Sequence, residues 1–285
     1  MSTNREHGFR NLAFVGVLVL GIAASIAAQA GPLESALIKT AANSERAVLS
    51  VAKESDQTHF ADVVGSAFLI NSDGYFVTAA HVLQPYQPIS ELTVMIKQRD
   101  KDSASGVHFD VVESDSQDDL ALCRVRPFVA RKLDPENPKQ TRYPISTLDV
   151  SAESLQTGEF VAIVGFPLNS WDAAVQFGNI SATRTVNPNV NSMAGLIEIS
   201  VSASGGETGG PVISLRTGKV VGVIVETLAV PALVPRISRV EQFPTMLQTS
   251  GIVLAVPASR IRDLLERNHV TSQEHKPGEN LGIVN

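Results

Sequence analysis

The strongest constraint on the fold is a rhythm of short, β-like apolar runs, each ended by Gly, Asn, Asp or Ser. The first set is "RAVLSVA", "VVGSAFLI", "GYFVTAA", "LTVMIK", "VHFDVVES" and "DLALCRV". A stretch rich in proline and charge follows, residues 126 to 144. The second set is "EFVAIVGF", "AAVQFGNISATR", "GLIEISV", "PVISL", "KVVGVIVE" and "IVLAVP". Many short strands at close spacing favour barrels or sandwiches over a parallel α/β sheet. Two sets of six therefore predict an all-β fold of two packed six-stranded β-barrels. Their expected bounds are 45–126 and 158–268, joined by a linker at 127–157. One helix stands out, "PASRIRDLLERN". Its proline suits a first helical turn. Its spacing puts Ile261, Leu264 and Leu265 on one face, expected to pack on the second barrel. The polar tail, residues 269–285, is expected to be loose.

The N-terminus has a different character. Arg5 and Arg10 precede an apolar run that ends in Ala28-Gln29-Ala30. A basic start, an apolar centre and a small-x-small end are the pattern of a secretory signal peptide. Residues 1–30 are so read, with an uncleaved membrane anchor as the alternative, and 31–44 as an N-terminal segment. Either reading places the folded part outside the cytoplasm, periplasmic or secreted. The sole cysteine, Cys123, lies in an apolar strand-like run and cannot make an internal disulfide. Stability must then come from the core, which a chain of 285 residues can supply. With a net charge of −6, no basic surface invites nucleic acid.

Three stretches carry candidate chemistry. In "GYFVTAAHVL", His81 follows a strand and two alanines. Asp119 opens the strand "DLALCRV", and adjacent Asp118 is expected to face the other way. Thr208 lies at the centre of the glycine loop "GGETGGP". Hydroxyl, imidazole and carboxylate are what nucleophilic acyl transfer requires. The alcohol needs a base to take its proton. The imidazole needs a carboxylate to hold its tautomer. The oxyanion needs backbone N–H groups, which a glycine loop can present. His59, His108, His269 and His275 sit in no such motif, and no metal-ligand spacing appears. No cofactor is expected.

These motifs, in this order, resemble a trypsin-like (chymotrypsin-fold) serine peptidase, and within that group the HtrA/Deg type. "GSAFLINSDGYFVTAAHVL" is similar to the family's strand and histidine motif. "DSQDDLALCRV" is similar to its aspartate strand, and "IEISVSASGGETGGPVI" to its nucleophile loop. The likeness spans roughly residues 45 to 268. It implies His81 as general base, Asp119 as its orienting partner and Thr208 at the nucleophile position. It implies an oxyanion hole from the N–H groups of Gly206 and Thr208. Ser202 would lie at the base of the substrate pocket, with Val225, Glu226 and Thr227 along its edge. The expected partner is an unfolded or extended polypeptide.

Four departures qualify that resemblance. Thr208 stands where the family has serine. Glu207 stands where this type carries asparagine, and is expected to disturb the loop or to point to solvent. Residues 227 to 250 form a longer, apolar connection, read as a packed loop or as a lid or partner patch. HtrA-type chains continue into a PDZ module, and regulation by one is not expected from the short tail here. Two functions follow as alternatives: an extracytoplasmic endopeptidase using a His-Asp-Thr triad, or an impaired pseudoprotease acting as a binding or scaffold module.

Overall fold

The computed structural model describes residues 31, 34–54, 61–86, 88–97, 104–126, 146–167, 170–183, 195–231 and 247–273. The chain divides into two units, 1–40 and 41–285. In the first, residues 34–40 are helical. The apolar run of residues 11–30 lies outside the described residues.

The second unit is built from antiparallel strands. The first half holds β1 (Val48–Glu54), β2 (Ala61–Leu69), β3 (Tyr75–Ala79), β4 (Leu92–Lys97), β5 (Ala104–Val107), β6 (Phe109–Asp115) and β7 (Leu120–Val125). They form one sheet in the order β5-β4-β1-β2-β3-β7-β6. Seven strands replace the expected six, because "VHFDVVES" belongs to two of them. Only His108 separates β5 from β6, so the chain turns a corner there. These two strands occupy opposite edges of the sheet, which therefore curls round on itself.

The second half holds β8 (Phe160–Gly165), β9 (Ala174–Thr183), β10 (Ile197–Ser200), β11 (Pro211–Ser214), β12 (Val220–Pro231) and β13 (Leu247–Pro257). Here the six strands close into a barrel in the order β10-β13-β12-β11-β8-β9. The described ends of the apolar connection at 227–250, residues 227–231 and 247–250, prove to be strand. Thr227 pairs with Val253 and Pro231 with Leu247, so β12 and β13 run on as a ribbon. Residues 232–246 between them lie outside the described residues.

Alternation along the strands sorts the apolar residues into layers. Ala67 and Leu69 enter the core of the first sheet with Phe76, Phe109 and Cys123. Phe68 and Ile70, from the same strand, face the opposite way. There they join Leu120, Leu122, Val164, Val223 and Val256 in a layer between the two halves. Val161, Ile163, Ile180 and Ile199 fill the closed barrel. Strands buried on both faces explain why these runs are almost unbroken apolar sequence.

The C-terminal helix, Ala258–Arg267, buries Ile261, Leu264 and Leu265 as its spacing requires. It packs in the shared layer instead of on the second barrel alone. Arg260 Nη1 lies 2.6 Å from Asp118 Oδ1, and Arg267 Nη2 lies 2.9 Å from Glu113 Oε1. The helix thus ties the second half to the first. Leu264 is fully buried in this layer, so Leu264→Ala is expected to cost about 2–5 kcal/mol. Denaturant unfolding would measure it. The first residues of the tail are also anchored, contrary to a wholly loose tail. Gln273 N donates to Ile70 O at 2.7 Å, and Asn71 Nδ2 to Thr271 O at 3.0 Å. Residues 274–285 lie outside the described residues.

Candidate active site

Register brings the first two candidate residues together. In the antiparallel pair of β3 and β7, Ala79 faces Leu120. His81 lies two residues beyond one partner, and Asp119 one residue before the other. Asp119 adopts φ 53°, a left-handed conformation that aspartate tolerates better than most residues. There its backbone and its side chain both reach the same segment. Ala80 N donates to Asp119 O at 3.1 Å. His81 N donates to Asp119 Oδ1 at 2.9 Å. His81 Nδ1 lies 2.7 Å from Asp119 Oδ2. An ionised carboxylate can only accept, so Nδ1 carries the proton and Nε2 is left as the basic nitrogen.

The His81 side chain is 45% exposed. Its pKa lies above the usual 6.5. The hydrogen bond His81 donates to Asp119 is the main cause, partial burial opposes it, and the charges of Asp119 and Glu226 add to the rise. Asp118, as expected, faces elsewhere and pairs with Arg260.

The Thr208 loop comes from the other half and converges on the same place. A Cβ on Gly65 would lie 2.5 Å from Val82 Cγ1 and 3.2 Å from Thr208 O. The neighbour of His81 and the backbone of Thr208 therefore both press against one glycine of β2. On the loop itself, Gly209 has φ 86°. A Cβ there would collide with Ser66 O and Thr78 Oγ1. Thr208 is half-buried. Among the described residues, no hydrogen bond joins its hydroxyl to His81. Such contacts are often made only once a substrate is bound.

The loop's amides divide into two kinds. Gly209 N donates to Ile224 O at 2.8 Å, and Gly210 N to Glu207 O at 2.9 Å. Among the described residues, the Gly206 and Thr208 N–H groups donate to nothing. Gly206 has φ 97°, which only glycine adopts readily.

Glu207 corrects its expectation. It is fully buried instead of facing solvent. Gln176 Nε2 donates to Oε1 at 2.8 Å, and Ser204 N to Oε2 at 2.6 Å. These donors take the place of water and fix the loop instead of disturbing it. Burial pushes the Glu207 carboxyl up, against the lowering effect of the Ser204 N–H.

The predicted pocket residues are scattered in exposure. Ser202 follows β10 and is exposed. Val225 is the extra residue of a bulge, since Ile224 pairs with Ala255 and Glu226 with Leu254. It is half-buried and packs against both the shared layer and the first core. Glu226 is exposed and Thr227 half-buried.

A model of the family described as "Trypsin-like peptidase domain" matches residues 65–223. The match takes in His81, Asp119 and Thr208. The chain belongs to the trypsin-like peptidase family. It is similar to serine protease HTRA4 of Mus musculus, 30% identical over 72% of this chain and 34% of that one. It is also similar to a probable periplasmic serine endoprotease DegP-like of Pseudomonas putida (strain GB-1). That protein is 30% identical over 59% of this chain and 30% of its own length. The chain thus spans about a third of the length of the curated relatives it matches. Among solved structures, the HtrA-type protease AlgWS227A with tripeptide superposes with a TM-score of 0.55 at 17% identity. That superposition covers 80% of this chain and 61% of the other, and it is a likeness of fold.

Sequence reasoning missed Ser66. It is fully buried in β2, and its hydroxyl reaches Gly206 O at 2.7 Å across 140 residues of chain. The only signal was the small pair Gly65-Ser66 inside an apolar strand.

Proposed function

We propose that this trypsin-like peptidase is an extracytoplasmic endopeptidase in which Thr208 takes the serine's role. The observation that carries the reading is the His81–Asp119 pair, joined at Nδ1 and set beside a loop in which two N–H groups donate to nothing among the described residues. In the proposed reaction the Thr208 hydroxyl attacks the scissile carbonyl while His81 Nε2 takes its proton. Asp119 stabilises the imidazolium, and the Gly206 and Thr208 N–H groups receive the oxyanion. His81 then returns the proton to the leaving amine, and water releases the acyl group in the reverse sense. Similarity to periplasmic DegP-like proteins supports a location outside the cytoplasm. The substrate is read as an extended polypeptide lying past Ser202, Val225, Glu226 and Thr227.

Casein hydrolysis by the purified protein tests this reading. A fluorophosphonate probe should label Thr208, and Thr208→Ala should lose both labelling and turnover. Protonated His81 cannot act as base, so the acid limb of the rate profile is expected above pH 6.5. Glu226→Gln removes one of the charges that raise the His81 pKa and should move that limb to lower pH. Casein hydrolysis that survives His81→Ala would reject the mechanism.

Among the described residues the Thr208 hydroxyl has no hydrogen-bond partner, and this favours one alternative, a binding module on the peptidase fold. It predicts no labelling, and peptide binding that survives Thr208→Ala.

A further inference from the structure

β2 and β3 begin to pair only at Phe68 with Val77. On that side of β2 the edge is open at Ser66, and the Thr208 loop fills it. Ser66 N donates to Thr208 O at 2.7 Å, and Thr78 Oγ1 donates to Ser66 O at 2.7 Å. The Ser66 hydroxyl is equally committed. Phe166 N donates to Oγ at 3.0 Å, and Oγ lies 2.7 Å from Gly206 O. A backbone N–H can only donate and a carbonyl can only accept. The direction of the hydroxyl proton, toward Gly206 O, is therefore fixed by its neighbours.

Three successive carbonyls of the loop are held in this way. Gly206 O is bound by Ser66 Oγ, Glu207 O by Gly210 N, and Thr208 O by Ser66 N. The peptide unit is planar and trans, so a pinned carbonyl points its own N–H the opposite way. The Glu207 carbonyl, turned inward to Gly210, turns the Thr208 N–H outward. Ser66 grips the peptide units on either side of that one, which keeps it from rotating.

We propose that Ser66 is a positioning residue: from the first half of the fold, it holds the Gly206 and Thr208 carbonyls and so aims the Thr208 N–H. The proposal rests on the reading of this loop as the oxyanion site. In Ser66→Ala the Gly206 carbonyl and the Phe166 N–H lose their partner inside the protein, and the loop is released on one side. A misplacement of about 1 Å in such a site costs on the order of 100-fold in rate. The interaction acts on the developing oxyanion, so the loss should fall on kcat with KM little changed.

The test compares wild type, Ser66→Ala and Ser66→Cys, the last keeping the shape with a weak donor. Each is assayed for casein turnover, for fluorophosphonate labelling and for hydrogen exchange by mass spectrometry. The expected result is a roughly 10- to 100-fold fall in kcat for Ser66→Ala. Amide exchange should be faster in the segment 204–211 and unchanged in β12 and β13. Unaltered kcat together with unaltered exchange at 204–211 would overturn the proposal. So would exchange that rises evenly across both halves, which marks a general loss of stability. If wild type neither turns over casein nor takes the label, the peptidase reading fails by itself. The exchange pattern then decides whether Ser66 holds the loop. If Ser66→Ala does not fold, Ser66→Cys supplies the same comparison.

Discussion

Replacing Thr208 by serine is expected to raise proteolysis by about 2- to 150-fold. The argument lies in one methyl group. Threonine keeps the hydroxyl but adds a branch on Cβ, which stiffens χ1. Thr208 is half-buried, and its backbone is gripped at the carbonyl by Ser66 N. The neighbouring Gly209 is packed so closely that no Cβ fits there. The loop therefore has little room to shift and relieve the branch. An off-rotamer hydroxyl costs roughly 0.5–1.5 kcal/mol. Crowding in a packed site costs roughly 1–3 kcal/mol. At about 1.4 kcal/mol per tenfold, these values give the stated range. Steady-state hydrolysis of casein by Thr208→Ser and wild type at equal concentration measures it. A serine variant no faster than wild type would show that the methyl is not the limiting feature.

His81→Ala is expected to lower kcat/KM by about 10²–10⁴-fold, the usual contribution of a positioned general base. The substitution removes the only acceptor nitrogen facing away from Asp119. It should leave the fold largely intact, because His81 is exposed and buries little. Removing it does leave the Asp119 carboxylate, among the described residues, with the backbone N–H of residue 81 as its remaining partner from that segment. Circular dichroism and thermal unfolding establish that the variant is folded. Small nucleophilic bases supply the companion measurement: partial recovery with added imidazole would mark the loss as one of base chemistry.

Much of the fold is legible in the sequence because its signals are local. Strands announce themselves by alternation and by flanking turn residues. The helix at Ala258–Arg267 announces itself by the spacing of Ile261, Leu264 and Leu265. His81 and Asp119 were readable because each sits at the end of a recognisable strand, and antiparallel register does the rest. The features that escaped depend on distant partners. Nothing near Ser66 in sequence says that its hydroxyl meets Gly206. Nothing near Glu207 says that Gln176, 31 residues earlier, will accept its longer side chain into the interior. A glutamate beside glycines reads as a solvent-facing charge until the amide opposite it is known. The extra strand was missed for a different reason. The strand Ala104–Val107 itself contains Ser105 and Gly106, which read as turn residues in the sequence.

Cys123 has a practical consequence. It is the only cysteine of the chain, and it is fully buried in the first sheet with its thiol pKa pushed far up by burial. A thiolate is the reactive form, so the native thiol is doubly shielded from maleimides and disulfide reagents. Modification must wait for the first sheet to open. The protein thus carries its own chemical reporter of opening, with no label to introduce and no second thiol to confuse the signal. Its folding should proceed equally well in reducing and oxidising buffers. The rate of Cys123 modification then offers a single clock against which every variant of the Thr208 loop can be timed.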